Sequence, residues 1–295
     1  NLPPGRMKFI VDTFSQRDNE TATALMTTMN DSEYNIQTTH HSDASPIFDP
    51  TGRYHASPIC EDLPLKERVD ALKNRVATTP RLRDHTEQLE RLQTILGKGV
   101  APALKDIPDV VEDDGYFVGG SCAANEIIET FLMQQGVGIP AAWGTLDEAS
   151  VNKLLELRIW YRSIVDRIPS LVARHHSNMI LEIISFLDNG NNEENMLFIL
   201  GHDTDLDAMG ELFGLTWSAY PFPPNSTTPG SILRIDLNSQ DNVAFSVHFQ
   251  EDTGSISPNL STVNASINWY RGTNAVSFDK LKEYVYPRLD YTCRK

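Results

Sequence analysis

The chain has 295 residues, enough for a sizeable core and for two domains; 40% are hydrophobic and 22% charged, an ordinary soluble balance. Its 40 acidic and 25 basic residues give a formal net charge of -15 at pH 7, a surface that repels nucleic acid and anionic membranes. The longest apolar runs fall short of a membrane span, and three cysteines allow one disulfide at most, which excludes a disulfide-scaffold mini-protein.

The chain opens NLPPGRMKF with no initiating Met and no secretory signal, so a segment is expected to precede it. MKFIV (7–11), the polar DTFSQRDNE and the helix-forming TATALMTTM then read as strand, turn, helix. Residues 31–60, rich in Ser, Asp, Pro and Thr, read as irregular connection. From about 64 to 187 the pattern is helical, with apolar residues at three- and four-residue spacing and breaks at Pro80, Pro108, Pro140 and Pro169. A second strand–turn–helix unit follows at 195–214, in NMLFILGHDTDLDAM and beyond. Two alternating runs, SILRIDL (231–237) and VAFSVHF (243–249), read as strands joined by a turn near Ser239–Asn242, and FDKLKEYVYPRL as a last helix. The simplest architecture is an α/β layer made from both ends of the chain, residues 1–60 and 169–295, with a helical domain inserted at 61–168.

Both strand–turn–helix units place polar residues where a strand ends and a helix begins. Ligands of open α/β sheets sit at that edge, and helix N-termini favour anions there. His202 and Asp203 stand at that edge in one unit, Gln16 and Arg17 in the other. Asp203 or Asp205 also suits the N-cap of the helix running to Phe213, with Gly214 as its stop, and His202 alone suits a structural role. Arg17 fits less easily as plain surface. A cation in a helix's first turn opposes the macrodipole at about 0.3–1 kcal/mol, an arrangement that makes sense if a bound anion lies between them. An EF-hand over Asp203, Asp205 and Asp207 fails, because the sixth position is Ala208 and the twelfth Gly214.

FILGHDTDLDAMGELFGLTW resembles the second signature of the histidine acid phosphatases, and VDTFSQRDNETATAL resembles that family's segment bearing a phosphate-binding arginine. THHSDASPIFDP, AAWGTLDEASVNKL, PSLVARHHSNMILEII and TTPGSILRIDL are similar, in order, to the bacterial phytase and glucose-1-phosphatase branch. The resemblance implies a phosphoglycerate-mutase-like α/β domain with an inserted helical domain. It implies that Arg17 and His202 hold the phosphate, that Asp203 donates the proton to the leaving alcohol, and that a histidine nucleophile is phosphorylated, with no metal and no cofactor. A carboxylic acid beside phosphate is pushed upward in pKa and so carries its proton in acid.

The family's Arg-His-Gly-x-Arg-x-Pro motif, on the first strand, has no match here. The single Arg-His pair, Arg174-His175, lies mid-helix and reads as helix surface. The expectation is therefore an N-terminally incomplete phosphatase of phosphomonoesters (phytate or sugar phosphates), lacking one strand and the attacking histidine and inactive alone. The alternative is a phosphate-ligand binder that has lost its nucleophile. Asp205 stands where Asn is common, adding negative charge near the phosphate.

The resemblance also implies a Cys60–Cys293 disulfide, hence a secreted or periplasmic location, and leaves Cys122 as a buried small residue. Sequons begin at Asn19, Asn30, Asn225, Asn259 and Asn264; Asn19 is doubtful as a glycan site so near Arg17, whereas Asn225 lies in a plainer loop. The His40-His41 pair lacks further ligands at metal spacing. The expected partner is a small phosphorylated substrate, with neither nucleic acid nor membrane.

Overall fold

The computed structural model describes residues 6–30, 36–40, 46–52, 58–97, 104–105, 109–110, 117–118, 120–189, 194–250 and 260–294. The elements begin with β1 (Arg6–Val11), α1 (Gln16–Asn30) and β2 (Ile36–His40). A largely helical stretch follows: α2 (Leu65–Thr78), α3 (His85–Leu96), the short β3 (Asp109–Val110) and β4 (Phe117–Val118), α4 (Gly120–Gly136), α5 (Glu148–Val165) and α6 (Pro169–Asp188). Then come β5 (Glu194–Leu200), α7 (Asp203–Phe213), β6 (Leu215–Thr216), β7 (Ile232–Leu237) and β8 (Asn242–Gln250). The chain ends with β9 (Leu260–Asn264), β10 (Ser266–Ile267), β11 (Ala275–Ser277) and α8 (Phe278–Val285).

The residues gather into two compact units. The first comprises Asn1–Asp62, Val172–Asp205 and Lys282–Lys295. Its sheet is parallel, in the order β2-β1-β5. β1 is the middle strand, and Met7, Phe9, Ile10 and Val11 are all buried, as expected of a short apolar run in a parallel sheet covered on both faces. Phe9 stacks on Phe198 of β5 at 4.7 Å between centroids, and Ala22 joins the same cluster from α1. β2 lies within the segment expected to be irregular. IQTTH has no apolar run to announce a strand; its order comes from backbone pairing with β1, Met7 opposite Ile36 through Val11 opposite His40.

In α6, Arg174 pairs with Asp290 at 3.0 Å and His175 with Asp62 at 3.0 Å. The expectation of a plain helix surface there gives way to largely covered ion pairs. The side chain of Asn178 donates to the Cys293 carbonyl at 2.7 Å, and Cys60 and Cys293 form a disulfide across 233 positions of sequence.

The second unit comprises Leu63–Leu171 and Leu206–Leu281. α4 and α5 form its helical core, where Ile128, Leu154, Leu155 and Leu157 are buried completely or nearly so. The side chain of Asp147 caps α5 by accepting the Ser150 N–H at 2.8 Å. β11-β8-β7 form an antiparallel sheet, with β9 also on β8. Along β8, Val243, Phe245, Val247 and Phe249 are buried alternately, so the period-two pattern of the sequence is the pattern of burial. Grouping by contact differs from the division expected at residues 168 and 169. Leu206–Leu281 sorts with the helical stretch, because Ala219, Phe222 and Phe249 share one apolar cluster with Leu132, Leu154 and Leu155. Cys122 is half-buried, with a free thiol. Among the described residues no helix is long and apolar enough to cross a membrane.

Candidate functional site

In the first unit, β1 and β5 run parallel and in register, Val11 opposite Leu200. The Asp12 N–H continues the ladder by donating to the Leu200 carbonyl at 2.9 Å. The two strands therefore end together, and both following turns open on one edge of the sheet.

After β1, Ser15 begins α1: its hydroxyl accepts the Asp18 N–H at 3.2 Å, an N-cap bond to the third helical residue. Arg17, second in the helix, is exposed, and Asp18 beside it is buried. Its carboxyl is pushed above the usual carboxylate range by burial, against the lowering pull of His202, the Ser15 hydroxyl and Arg17, while Asp12 raises it further.

After β5, Gly201 is dictated by space. A Cβ there would lie 2.3 Å from Asp205 Oδ2 and 2.8 Å from Phe48 Cε1, so no side chain fits. Asp205 turns back and accepts the His202 N–H at 2.7 Å, the inward half of a capping box, and its Oδ1 lies 3.1 Å from His176 Nε2 on α6. Asp203 is the first residue of α7, so the capping alternative goes to Asp205, working from the third helical position. Both Asp205 oxygens are thereby engaged with His202 and His176.

The side chain of His202 meets two carboxylates: its Nδ1 is 3.4 Å from Asp18 Oδ2 and 3.6 Å from Asp12 Oδ2. The structure thus brings His202 and the start of Arg17's helix to one edge, with Asp18 feeling both charges, and puts Asp203 next to His202. Asp12 and Asp18 went unremarked in the sequence. The available signals were an aspartate closing the first strand and another directly after Arg17. Their nearness to His202 depends on which strands pair, which neither local segment reveals. Asp12, Asp18 and His202 also offer donor atoms within 4.8 Å of one another, close enough for a cation. The same grouping is that of an imidazole nitrogen facing two carboxyl groups.

Asn19 donates its side-chain N–H to the Thr13 carbonyl at 2.7 Å, tying down the turn beside Arg17. Asn225 is equally occupied, accepting the Trp217 N–H at 3.1 Å. Asn259, His41 and the side chains of Asn30 and His40 lie outside the described residues.

No family model matches the chain. Phytase AppA of Escherichia coli (strain K12) is 31% identical over 149 residues, which cover 44% of this chain and 34% of that protein. The chain thus matches about a third of the length of its curated relative. That similarity, over less than half of this chain, is to a member of the histidine acid phosphatases. The chain's fold is that of solved phytases. Hafnia alvei phytase in complex with tartrate superposes with a TM-score of 0.82 at 18% identity, over 100% of this chain and 81% of that one. The phytase from Citrobacter braakii gives 0.77 at 19%, over 98% and 81%. In this fold, β1 and β5 carry the two sequence segments singled out above, and the remaining question is what their turns do.

Proposed function

We propose that the edge formed by the turns after β1 and β5 is the phosphate-binding part of an acid phosphatase acting on phosphomonoesters, with phytate or a sugar phosphate as substrate. The single observation that carries the reading is the in-register ending of β1 and β5, which sets the Arg17 helix start beside the His202-Asp203 turn. A phosphoryl group leaves through a transition state with charge on its equatorial oxygens, so guanidinium and imidazole donors aimed at one point stabilise it. In this reading Arg17 and His202 hold the phosphate, and Asp203 gives its proton to the departing alcohol.

Supporting the substrate class, Hafnia alvei phytase has been solved in complex with myo-inositol hexakis sulphate, a polyanionic inositol ester; it resembles this chain with a TM-score of 0.80 at 17% identity. The attacking histidine of that chemistry belongs to an Arg-His-Gly-x-Arg-x-Pro motif that does not occur in these 295 residues. The reading therefore concerns the chain joined to such a segment, and by itself the chain binds without turning over. The disulfide supports placement in an oxidising compartment, secreted or periplasmic, with glycosylation where the route allows it.

The test has two arms. Inorganic phosphate titrated into the chain in acid is expected to bind, and Arg17→Ala and His202→Ala to weaken binding by tenfold or more, an estimate for losing one charge-assisted contact of roughly 1.5–3 kcal/mol. Fusion to a segment supplying the motif is expected to release phosphate from a chromogenic monoester in acid, with Asp203→Asn lowering turnover more than affinity. Phosphate binding without turnover in the fusion would favour a phosphate-ligand binder; wild-type affinity in both binding variants would end the proposal.

A further inference from the structure

The two carboxylates facing His202 cannot hold a phosphate, since like charges repel, yet the fold fixes both against one nitrogen of the ring. Asp12 is held by its backbone N–H on the Leu200 carbonyl at 2.9 Å. Its Oδ1 accepts the Phe14 N–H at 3.1 Å, which leaves Oδ2 to face the imidazole. Asp18 is only 6% exposed, is anchored in the capped first turn of α1, and turns toward His202 a buried Oδ2 with no hydrogen-bond partner among the described residues. At 3.4 and 3.6 Å the two oxygens lie just beyond hydrogen-bond length from Nδ1.

A carboxylate beside one nitrogen of an imidazole selects the tautomer with the proton on that nitrogen and fixes the plane of the ring. Arg17, Asp203 and Asp205 are the other ionisable side chains at this edge. Of these, Asp205 is engaged with the His202 backbone and with His176 rather than with the ring.

We propose that Asp12 and Asp18 are a positioning pair that keeps the ring proton of His202 on Nδ1, so that Nε2 is the nitrogen presented to the bound oxyanion; the inference rests on the reading of His202 as a phosphate-holding residue. With Nδ1 committed, a second proton on the ring sits on Nε2, from which it donates to a phosphate oxygen. Asp12 and Asp18, both facing Nδ1, hold the ring in that orientation. A neutral ring with its proton on Nε2 would instead turn a lone pair toward the aspartates.

The test is the tautomer itself, read by long-range proton–nitrogen NMR on the full chain labelled with 15N-histidine at mildly alkaline pH. The His202 ring is identified by its loss in His202→Gln. The wild type is expected to show the proton on Nδ1, and the double variant Asp12→Ala with Asp18→Ala to move most of the population to Nε2. A wild-type ring protonated on Nε2 overturns the proposal without needing any variant; an unmoved Nδ1 proton in the folded double variant overturns it as well. Inorganic phosphate is then added to the wild type in acid, where it should perturb Nε2 more than Nδ1. A ring protonated on Nδ1 but deaf to phosphate sinks the phosphate reading and leaves the positioning result standing, so the two failures are distinct.

Discussion

The Asp205 carboxylate accepts the His202 backbone N–H at 2.7 Å while its other oxygen meets His176 Nε2 at 3.1 Å. One side chain therefore closes the β5–α7 turn from inside the helix and braces it against α6. Asp205→Ala removes both bonds and is expected to destabilise the protein by about 1–2 kcal/mol, the usual range for a helix-start bond. Asp205→Asn keeps a carbonyl oxygen for the His202 N–H and should lose less than half as much. Urea unfolding of the three proteins decides it: equal losses in both variants would mean that the charge, and not the acceptor, secures the turn.

Gly201 makes that closure possible, because the Asp205 carboxylate occupies the space its side chain would need. Gly201→Ala forces either Asp205 or Phe48 to move, and overpacking of this kind costs about 1–3 kcal/mol. Thermal unfolding with phosphate titration is expected to show both lower stability and weaker phosphate binding. An alanine variant as stable as wild type would show that the turn relaxes freely.

Much of this arrangement was legible in the sequence, and the limits have physical causes. MKFIV and NMLFIL were readable because a strand buried in a parallel sheet is a short apolar run, and VAFSVHF because one-sided burial alternates. β2 left no such trace, since IQTTH owes its order to pairing with β1. Local pattern showed charged turns after two strands, but only the neighbour relation of β1 and β5 shows that the turns share an edge. For the same reason, Arg17, His202 and Asp203 could be named from their segments, whereas Asp12 and Asp18 acquire meaning only when placed within 4 Å of His202. The allocation of Leu206–Leu281 depends on side chains such as Phe249 meeting helices more than a hundred positions earlier, which no local period encodes.

His85, in the second unit, is 2% exposed, with Nε2 3.0 Å from the Ser121 hydroxyl and its ring edge-on to Trp160. Burial pushes its pKa down from 6.5 to about 4, and the charge of Arg81 adds to the fall. The unfolded chain thus binds a proton that the folded one refuses between those two values. Stability contributed by the neutral ring is complete above about 6.5 and is lost as pH falls toward about 4. The total is on the order of 3 kcal/mol. His85→Gln should flatten that part of the acid dependence, so the gap between wild type and variant narrows, or reverses, as pH drops. Parallel pH profiles of the two unfolding midpoints would exclude His85 as the source.

The Cys60–Cys293 bridge spans 233 positions and fastens the C-terminal segment, where Asp290 pairs with Arg174 and the Cys293 carbonyl accepts from Asn178. Chain entropy alone puts the stabilisation of so long a loop near a ceiling of about 5 kcal/mol, and measured bridges usually deliver about 2–4 kcal/mol. Reduction, or the Cys60→Ser, Cys293→Ser double variant, is therefore expected to lower the unfolding midpoint markedly. It should also raise hydrogen exchange first in the C-terminal segment and then in the middle of α6, which carries Arg174 and Asn178. His176 lies in that same part of α6 and braces Asp205, so phosphate affinity should fall as exchange rises there. If reduction releases the C-terminus but leaves exchange at Arg174–Asn178 and phosphate affinity unchanged, the bridge secures only the tail and the packing of α6 is independent of it.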